Sequence, residues 1–407
     1  MKTVIFSVCA ACVFAACGGG GREKDAKGDS LAGSPGAGRS ESLAALPDSS
    51  WALIPFVKVD SVNPVLTPGK GSFFDPMRRA VVKWEEKDVF NPAIVVAKGR
   101  LFMLYRAQDK VGKPAGTSRI GLASSDDGFH FHRRPTPVLY PGTDAARSLE
   151  WEGGCEDPRV VQDERGIYYM TYTGFDGRTA RLLEATSPDL VHWTKHGSVF
   201  ADAYGGKYSH GWSKSGSIVS RYLGGRIVAA KVGGKYWMYW GDQNIWAATS
   251  DDLIHWTPVE MVAGEKPPVK LKGQALNMPQ LKVVVGTRDG FWDSDLVESG
   301  PPAMLTEEGI LLIYNGKNLR AIGDTAMAEG AYGGGQVLLD AHDPTRVLRR
   351  LNHDFIHPEK PYEITGQVNQ VCFLEGLANF HGRWLLYYGT GDSKIAVAAG
   401  PDKPMGR

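Results

Sequence analysis

The sequence predicts an all-β protein, a five-bladed β-propeller forming one domain, behind an N-terminal export signal and a flexible tether. Two observations predict this class. The 407 residues include 50 glycines, 24 prolines and 10% aromatic residues, and one strand pattern recurs five times. Many turns and many aromatic residues indicate numerous short strands rather than long helices. The 46 Lys+Arg residues balance 45 Asp+Glu residues, which argues against a nucleic-acid partner held by a basic surface.

The N-terminus predicts export. Residues 1–17 read MKTVIFSVCAACVFAAC, with Lys2 followed by an apolar stretch and small residues before Cys17. A bilayer core of about 30 Å needs about 20 apolar residues, so this stretch is too short to span one. Small residues before a cysteine resemble a bacterial lipobox, in which the cysteine is lipidated. We therefore interpret residues 1–17 as a lipoprotein signal peptide, with Cys17 anchoring the protein in the cell envelope, facing the periplasm or the outside. A plain secretory signal with an incidental Cys17 is the alternative.

Residues 18–50 are rich in Gly, Ser, Ala and charged residues, and they predict a flexible linker because they cannot bury a core. The folded body is then residues 51–407. It contains Cys155 and Cys372, which either form a disulfide bond or remain free thiols, since sequence alone does not give their separation. Within residues 51–407 the sequence has no CxxC or HExxH pattern, which argues against zinc, and we expect no metal or other cofactor.

The body carries a five-fold repeat. Five β-rich runs each contain a tyrosine close to a small residue, and the tyrosines are spaced 67, 67, 75 and 73 residues apart. A unit of about 70 residues is too long for a solenoid coil but suits a four-stranded propeller blade, and five blades close into a ring without exposed edges. The runs are LFMLYRA (101–107), YMTYTG (169–174), WMYWG (237–241), LLIYNG (311–316) and WLLYYG (384–389).

The residues that follow each repeated tyrosine predict a binding site. In a propeller they would occupy equivalent places around a central funnel, yet here they differ from run to run and are mostly polar or aromatic. Structural positions repeat, whereas site residues diverge. Aromatic faces, carboxylates, amides and guanidinium groups together are typical of a carbohydrate site. The candidate residues of this ring are Arg106, Asp109, Trp240, Asp242, Asn315, Tyr388 and Asp392.

Three acidic residues are candidates for catalysis, because hydrolysis of a glycosidic bond uses one carboxyl group to protonate the leaving oxygen and another to activate water. Asp157 lies in GCEDPRV (154–160), where Pro158 predicts a conformation outside the regular ladder. Asp242 follows the repeated glycine of the third run, and Glu298 precedes the rigid turn Ser-Gly-Pro-Pro.

These motifs resemble glycoside hydrolase family 130, which contains β-mannoside phosphorylases and β-mannosidases. The resemblance covers roughly residues 60–400 and rests on LYRAQD (104–109), GGCEDPRV (153–160), KSGSI (214–218), DLVESGPP (295–302) and YYGTGDS (387–393). It implies a five-bladed propeller that acts on mannoside oligosaccharides. It also implies that Asp157 is the catalytic aspartate, which passes its proton through a mannose hydroxyl, and that Asn91, Arg106 and Arg159 hold the sugar.

The sequence departs from the phosphorylase pattern where the family binds phosphate. Phosphorylases of the family have a His-Arg pair at the end of the third-blade strand, where this chain reads Tyr239-Trp240-Gly241-Asp242. They also have a Tyr-His-Gly where this chain has Tyr314-Asn315-Gly316, and a glycine where it has Glu298. Unit charges about 4 Å apart interact by about 4 kcal/mol at an effective dielectric of about 20, so carboxylates here oppose phosphate binding.

The sequence thus predicts hydrolysis with inversion. Asp157 is the acid, and Asp242, Glu298 or both activate water; which of the two is the base stays open. The resemblance alone favours β-1,2-mannosides. Lys214, a further candidate for substrate binding, and Arg181 keep positive charge nearby, so phosphorolysis is the alternative. A non-catalytic sugar-binding propeller is a further alternative. The sequence does not indicate an oligomeric state.

Overall fold

Short strands make up nearly all of the regular structure in the computed structural model, which describes residues 49–402. The predicted all-β class is confirmed. The predicted signal peptide with Cys17, and the linker up to residue 48, lie outside the described residues. Within residues 49–402 no helix is both long and apolar enough to cross a bilayer. Cys155 and Cys372 are buried free thiols.

The described residues form 27 strands, most of them short. They are β1 (Val57–Lys58), β2 (Ser72–Asp75), β3 (Ala80–Lys83), β4 (Asp88–Ala97), β5 (Arg100–Gln108), β6 (Ser118–Ser125), β7 (His132–Arg133), β8 (Gly154–Gln162) and β9 (Tyr168–Phe175). Next come β10 (Ala180–Ser187), β11 (Thr194–Ser198), β12 (Ser217–Ile218), β13 (Ser220–Leu223), β14 (Arg226–Ala229), β15 (Lys231–Val232), β16 (Lys235–Trp240), β17 (Ile245–Ser250) and β18 (Trp256–Pro258). The last are β19 (Val283–Val285), β20 (Leu296–Ser299), β21 (Met304–Thr306), β22 (Gly309–Lys317), β23 (Tyr332–Leu339), β24 (Val347–Arg350), β25 (Cys372–Phe380), β26 (Arg383–Thr390) and β27 (Lys394–Ala399). The short helices are α1 (Arg147–Glu150) and α2 (Pro361–Ile364), and 3-10 turns lie at Ala203–Gly206 and Gly273–Asn277.

Most strands of the described region belong to five antiparallel units, which we call sheets 1 to 5. Sheet 1 is β4-β5-β6-β7, and sheet 2 is β8-β9-β10-β11. Sheet 3 is β12-β16-β17-β18, and sheet 4 is β21-β22-β23-β24, with β20 also paired to β22. Sheet 5 is β25-β26-β27-β1. Its outer strand comes from the start of the folded body, so the first strand of the body completes the last sheet.

The five sheets pack in a closed cycle. Each consecutive pair shares one hydrophobic cluster, and the fifth cluster joins sheet 5 back to sheet 1. Each sheet therefore buries both faces against neighbours, which explains why its strands read as nearly continuous apolar runs. Representative pairs are Leu104 with Tyr172, Leu182 with Met238, Ile245 with Leu312, Ile313 with Leu386, and Met103 with Val397.

Four of the sheets contain the same buried polar triad. A tyrosine on the second strand donates its hydroxyl to a carboxylate that precedes the first strand, and a cation from the fourth strand pairs with that carboxylate. The triad ties three parts of one sheet together by charge-assisted hydrogen bonds. The members are Tyr105–Glu85–Arg133, Tyr172–Glu150–Lys195, Tyr314–Asp293–Arg350 and Tyr388–Glu363–Lys58.

In one sheet the tyrosine of the triad is not the tyrosine that the sequence pattern aligns with the other repeats. In sheet 5 the equivalent tyrosine is Tyr388, whereas Tyr387, which the sequence pattern aligns with the others, donates to the Gly128 carbonyl at 2.6 Å. In sheet 3 the repeated Tyr239 instead donates to the Pro344 carbonyl at 2.9 Å.

A hairpin packs against the ends of several first strands. β13 and β14 form this hairpin, and Val228 pairs with Gln162 at the end of β8. Arg226 donates to the Gln162 side chain at 3.1 Å, and Tyr222 donates to Asn379, near the end of β25, at 3.2 Å. The hairpin therefore covers the ends of the first strands of sheets 1, 2 and 5.

Candidate active site

The site lies where the first strands begin, and β-bulges direct two of its side chains inward. Asn91 and Asp157 sit in bulges of β4 and β8 with φ of 48° and 49°. Each precedes a proline, Pro92 or Pro158, which has no N–H for the ladder and so favours the irregular conformation. The Asn91 amide donates to Oδ1 of Asp157 at 2.9 Å. Strained backbone of this kind is concentrated at functional sites.

Three groups stabilise the ionised form of Asp157. Arg106 Nη1 lies 3.0 Å from Oδ1 and Lys214 Nζ lies 3.5 Å from Oδ2, in addition to the Asn91 amide. Burial by itself would raise the pKa of Asp157, but Arg106, Lys214 and Asn91 outweigh it and hold this pKa well below its ordinary value. Asp157 is therefore held as a carboxylate.

Arg106 connects Asp157 to a second carboxylate. Its Nη2 lies 2.6 Å from Glu156, and its Nε donates to the Ser118 hydroxyl at 3.0 Å. Burial raises the pKa of Glu156, while Arg106 opposes that rise. The prediction that Arg106 lies at the site agrees with this geometry, whereas Glu156 was not among the predicted residues.

One short segment before β12 contacts all three predicted catalytic carboxylates. Trp212 donates its indole N–H to Oδ2 of Asp242 at 2.7 Å, and the Ser215 hydroxyl donates to Oε1 of Glu298. Between them Lys214 reaches Asp157. The Lys214 carbonyl also accepts the Gly241 N–H at 2.9 Å, which fixes the segment beside Asp242. Asp157, Asp242 and Glu298 therefore face one region rather than separate surfaces.

Burial and neighbouring charges together set the pKa values of the ionisable groups in this region. Burial would lower the pKa of Lys214, but Asp157, Glu298 and Asp242 together raise it above its ordinary value. Burial raises the pKa of Glu298 to about 7, with Lys214 opposing and Asp242 adding to the rise. Burial also raises the pKa of Asp242, again against Lys214. Asp392, whose pKa burial raises to about 6 against Arg106, belongs to the same group.

Arg159 has a different place from the one that the resemblance implies. Its Nε donates to the Gly300 carbonyl at 2.8 Å and its Nη2 to the Ser299 carbonyl at 2.7 Å. Nη1 lies 3.3 Å from the buried carboxylate of Glu375. The guanidinium is thus directed into the protein, where it fixes the backbone next to Glu298 instead of presenting a free fork to a sugar.

Two predicted ring residues serve the fold instead of the site. Asp109 accepts the Thr117 and Gly112 N–H groups at 2.9 and 2.8 Å and pairs with the buried Arg119 at 2.8 Å. Asn315 exchanges two hydrogen bonds with the backbone of Leu374, at 3.0 and 2.7 Å, and so joins sheets 4 and 5. Their polar atoms are therefore used inside the protein.

The prediction that Trp240 and Tyr388 belong to the binding ring is also contradicted, because both side chains are fully buried. The Trp240 ring packs against Phe200 and Trp246, with centroids 4.6 and 5.0 Å away, in the core between sheets 2 and 3. The Tyr388 hydroxyl binds Glu363 at 2.9 Å. Successive strand residues face opposite sides, so a position in the repeat does not determine whether a ring faces the centre or a neighbouring sheet.

Several residues of this region escaped the sequence prediction. Tyr332 begins β23, at the same end of the sheets as the bulges; burial raises its pKa, and Glu298 and Asp392 add to the rise. Its position at the start of a third strand is the signal that could have identified it. The other missed residues are Glu156, Trp212, Ser215 and Glu375.

A family model for β-1,4-mannooligosaccharide phosphorylases matches residues 72–405. The chain belongs to glycoside hydrolase family 130. The predicted resemblance is thus confirmed. Among family members, the chain is 32% identical over 330 residues to a 1,2-β-oligomannan phosphorylase of Thermoanaerobacter sp. (strain X514), covering 79% of this chain and 93% of the relative.

Solved structures of glycoside hydrolases are also similar. A putative glycoside hydrolase from Parabacteroides distasonis is 42% identical with a TM-score of 0.82, covering 88% of this chain and 99% of that one. Another structure, 44% identical with a TM-score of 0.81, covers 88% of this chain and 97% of that one. It comes from work on glycoside hydrolases in this family that target β-1,2-mannosidic linkages in Candida mannan.

Proposed function

We propose that this protein is a glycoside hydrolase that cleaves β-mannosidic linkages, with β-1,2-mannosides as substrates, and inverts the anomeric carbon. The 1,2-β-oligomannan phosphorylase and the hydrolases that target β-1,2 linkages support the substrate class. The convergence of Asp157, Asp242 and Glu298 around Lys214 supports an enzyme over a non-catalytic sugar-binding protein, since binding alone does not need three such carboxylates.

We infer that water rather than phosphate is the nucleophile because the two cations near the site, Lys214 and Arg181, are already paired with carboxylates. Arg181 is paired with Asp176 at 2.7 Å, and Lys214 is paired with Asp157 at 3.5 Å, while Asp242 and Glu298 further raise its pKa. Neither cation is left to balance a phosphate dianion. This neutralisation is the single observation that carries the proposal of hydrolysis.

In the proposed reaction Asp242 and Glu298 bind and deprotonate the water that attacks the anomeric carbon. Asp157 supplies a proton to the leaving oxygen through a mannose hydroxyl. Because Asp157 is held ionised and Glu298 has a pKa of about 7, Glu298 rather than Asp157 carries the proton below about pH 7. The reactive state, with Asp157 protonated and Glu298 ionised, is then a minor tautomer of the singly protonated pair.

Phosphorolysis is the second candidate, because the family model and the 1,2-β-oligomannan relative describe phosphorylases. One experiment separates the two reactions. β-1,2- and β-1,4-mannobiose are incubated with and without inorganic phosphate, and the products are followed by NMR. We expect α-mannose as the first product at a rate independent of phosphate. Mannose 1-phosphate as the main product, or initial release of β-mannose, would refute the assignment.

The cyclic packing of the five sheets leads to a proposal about the fold. We infer that sheets 1 to 5 are the blades of a single five-bladed β-propeller. The cyclic order of the five hydrophobic clusters and the completion of sheet 5 by β1 support it, because both are what closure of a ring requires.

The N-terminal sequence leads to a further proposal, that the enzyme is exported and held in the cell envelope by a lipid on Cys17. Mass spectrometry of the mature protein tests this. We expect a lipidated N-terminal cysteine and release of the Cys17→Ala variant into the soluble fraction. An unmodified cysteine, or a variant that stays with the membrane, would contradict the proposal.

A further inference from the structure

The guanidinium of Arg159 is a buried link between the strand of Asp157 and the strand of Glu298. Arg159 lies two residues after Asp157 in β8, and only 2% of its surface is exposed. Its Nε and Nη2 donate to the carbonyl groups of Gly300 and Ser299, 2.8 and 2.7 Å away, which directly follow Glu298 in the chain. Its Nη1 donates to the Asp157 carbonyl at 3.3 Å. One planar group therefore binds the backbone beside both residues that we place in the reaction.

The backbone that follows Glu298 is also held from its other side. The Gly300 N–H donates to the Ile313 carbonyl at 3.0 Å, so this residue joins the second strand of sheet 4. A Cβ at Gly300 would lie 2.8 Å from the Ile313 carbonyl oxygen and 3.1 Å from that of Leu374, which shows how closely the neighbouring backbones approach. Arg159 on one side and sheet 4 on the other therefore fix the segment that carries Glu298.

Sheet 5 contributes the counter-charge of this link. Glu375 occupies a bulge of β25, as Asn91 and Asp157 do in β4 and β8. Its fully buried carboxyl group lies 3.3 Å from Nη1 of Arg159, and neither of its oxygens accepts a hydrogen bond from a described residue. Burial raises the pKa of Glu375, and Arg159 opposes the rise. Desolvation offsets the attraction within a buried ion pair, so stability alone does not account for a guanidinium at this place.

We propose that Arg159 is a positioning residue that sets the separation between the carboxyl groups of Asp157 and Glu298. The proposal rests on the proposed hydrolysis with inversion, which needs the acid and the water-activating group about 6.5–9.5 Å apart. A misplacement of about 1 Å can lower the rate about a hundredfold, so a link between the two backbones controls kcat. This role differs from the one that the resemblance implies, in which Arg159 holds the sugar and its replacement raises KM.

Arg159→Lys separates the two roles, because lysine keeps the charge but cannot replace a planar fork that reaches three carbonyl groups. We expect kcat for β-1,2-mannobiose to fall about tenfold to a hundredfold while KM stays within about threefold. Calorimetry with Asp157→Asn in place should show unchanged sugar binding. The matched control is Arg119→Lys, since Arg119 is also fully buried but pairs with Asp75 and Asp109, and its kcat should be retained. A raised KM with kcat retained in Arg159→Lys would overturn the positioning role and leave the glycosidase standing.

A carbon-13 NMR titration of the Glu298 carboxyl group tests the link without requiring turnover. The signal is assigned by its absence in Glu298→Gln. Arg159 lowers the pKa of Glu298, so Arg159→Met should raise this pKa and Arg159→Lys should leave it unchanged. Both are compared in the Glu375→Gln background, where no buried carboxylate loses its partner. The charged and titratable groups that face Glu298 from the surrounding elements are Lys214, Asp242, Arg159, Tyr332 and Glu375.

The titration also distinguishes failure of this proposal from failure of the proposed function. A pKa of Glu298 that does not change in Arg159→Met would show that the guanidinium is not directed toward Glu298, and would overturn the link. If the parent protein does not cleave mannobiose but the pKa rises as expected, the glycosidase is refuted and the link between the two strands is supported.

Discussion

The indole N–H of Trp212 lies 2.7 Å from Oδ2 of Asp242, a contact between the segment that precedes sheet 3 and the end of its second strand. Two residues further on, Lys214 reaches Asp157, and Ser215 donates to Glu298. The orientation of all three carboxylates therefore depends on one stretch of four residues. A displacement of this stretch would change the acid and the water-activating groups together.

Trp212→Phe should lower kcat while leaving the protein folded. Phenylalanine keeps an aromatic ring but removes the donor, so Asp242 loses its orientation. We expect a loss of about tenfold to a hundredfold, the scale associated with small misplacements at a reaction centre. The matched control is Trp246→Phe, because the Trp246 N–H has no hydrogen-bond partner among the described residues. Full activity of Trp212→Phe would show that Asp242 does not need this contact.

Asp157→Asn should abolish turnover and retain sugar binding. An amide keeps the shape and the contact with Asn91 but cannot deliver a proton, so we expect a loss of about 10²–10⁴-fold. Activity assays combined with calorimetry on mannobiose measure both quantities. Asp109→Asn serves as a comparison, since Asp109 pairs with Arg119 within a turn: it should lower stability and spare the rate of the folded protein. Unchanged turnover in Asp157→Asn would remove this residue from the mechanism.

The rate should fall as pH rises through about 7. The reactive pair carries one proton, which resides mainly on Glu298, whose pKa is about 7; above that value the pair loses the proton that Asp157 must deliver. Ser215→Ala removes a hydrogen bond to the ionised form of Glu298, so its pKa rises and the alkaline limb of kcat/KM moves to higher pH. Ser217→Ala is the control, because its hydroxyl binds the Pro301 carbonyl. If Ser215→Ala leaves the alkaline limb of kcat/KM unchanged, then Glu298 is not the group that causes this limb.

Removing both water-activating carboxylates should allow phosphate to bind. In Asp242→Asn/Glu298→Gln, assayed above pH 7 where Glu298 of the parent is ionised, Lys214 keeps Asp157 as a partner but loses two negative neighbours, each worth up to about 4 kcal/mol of repulsion toward a unit negative charge about 4 Å away. We expect calorimetry to detect phosphate binding in this variant and none in the parent protein. Phosphate binding by the parent would show that its cations remain available.

The buried triads should contribute measurably to stability. Tyr172→Phe leaves the carboxylate of Glu150 without one of its donors, and we expect a loss of about 1.5–3 kcal/mol in the free energy of unfolding. Tyr239→Phe removes a bond to a neutral carbonyl and should cost about 0.5–1.5 kcal/mol. Denaturant titration of both variants compares these values. Equal losses would argue against the role of charge in the triad.

The sequence predicted the all-β class because strand periodicity and turn composition are local properties. It also predicted that Asp157, Asp242 and Glu298 belong together, and the structure brings them to one region. It erred at Trp240 and Tyr388 because a repeat gives the position along a strand, whereas the face toward which a side chain points depends on bulges and on the packing of the neighbouring sheet.

By itself, the sequence determined the family, the five-fold repetition and the identities of the acidic residues, all of which are carried by residue order. Only the tertiary structure decided that Arg159 turns into the protein, that Trp212 and Ser215 hold the carboxylates, and that Lys214 and Arg181 are already neutralised. The physical reason is that charge and hydrogen bonding act over a few ångströms in space, and residues that are far apart in the chain meet at that distance only after the sheets have packed.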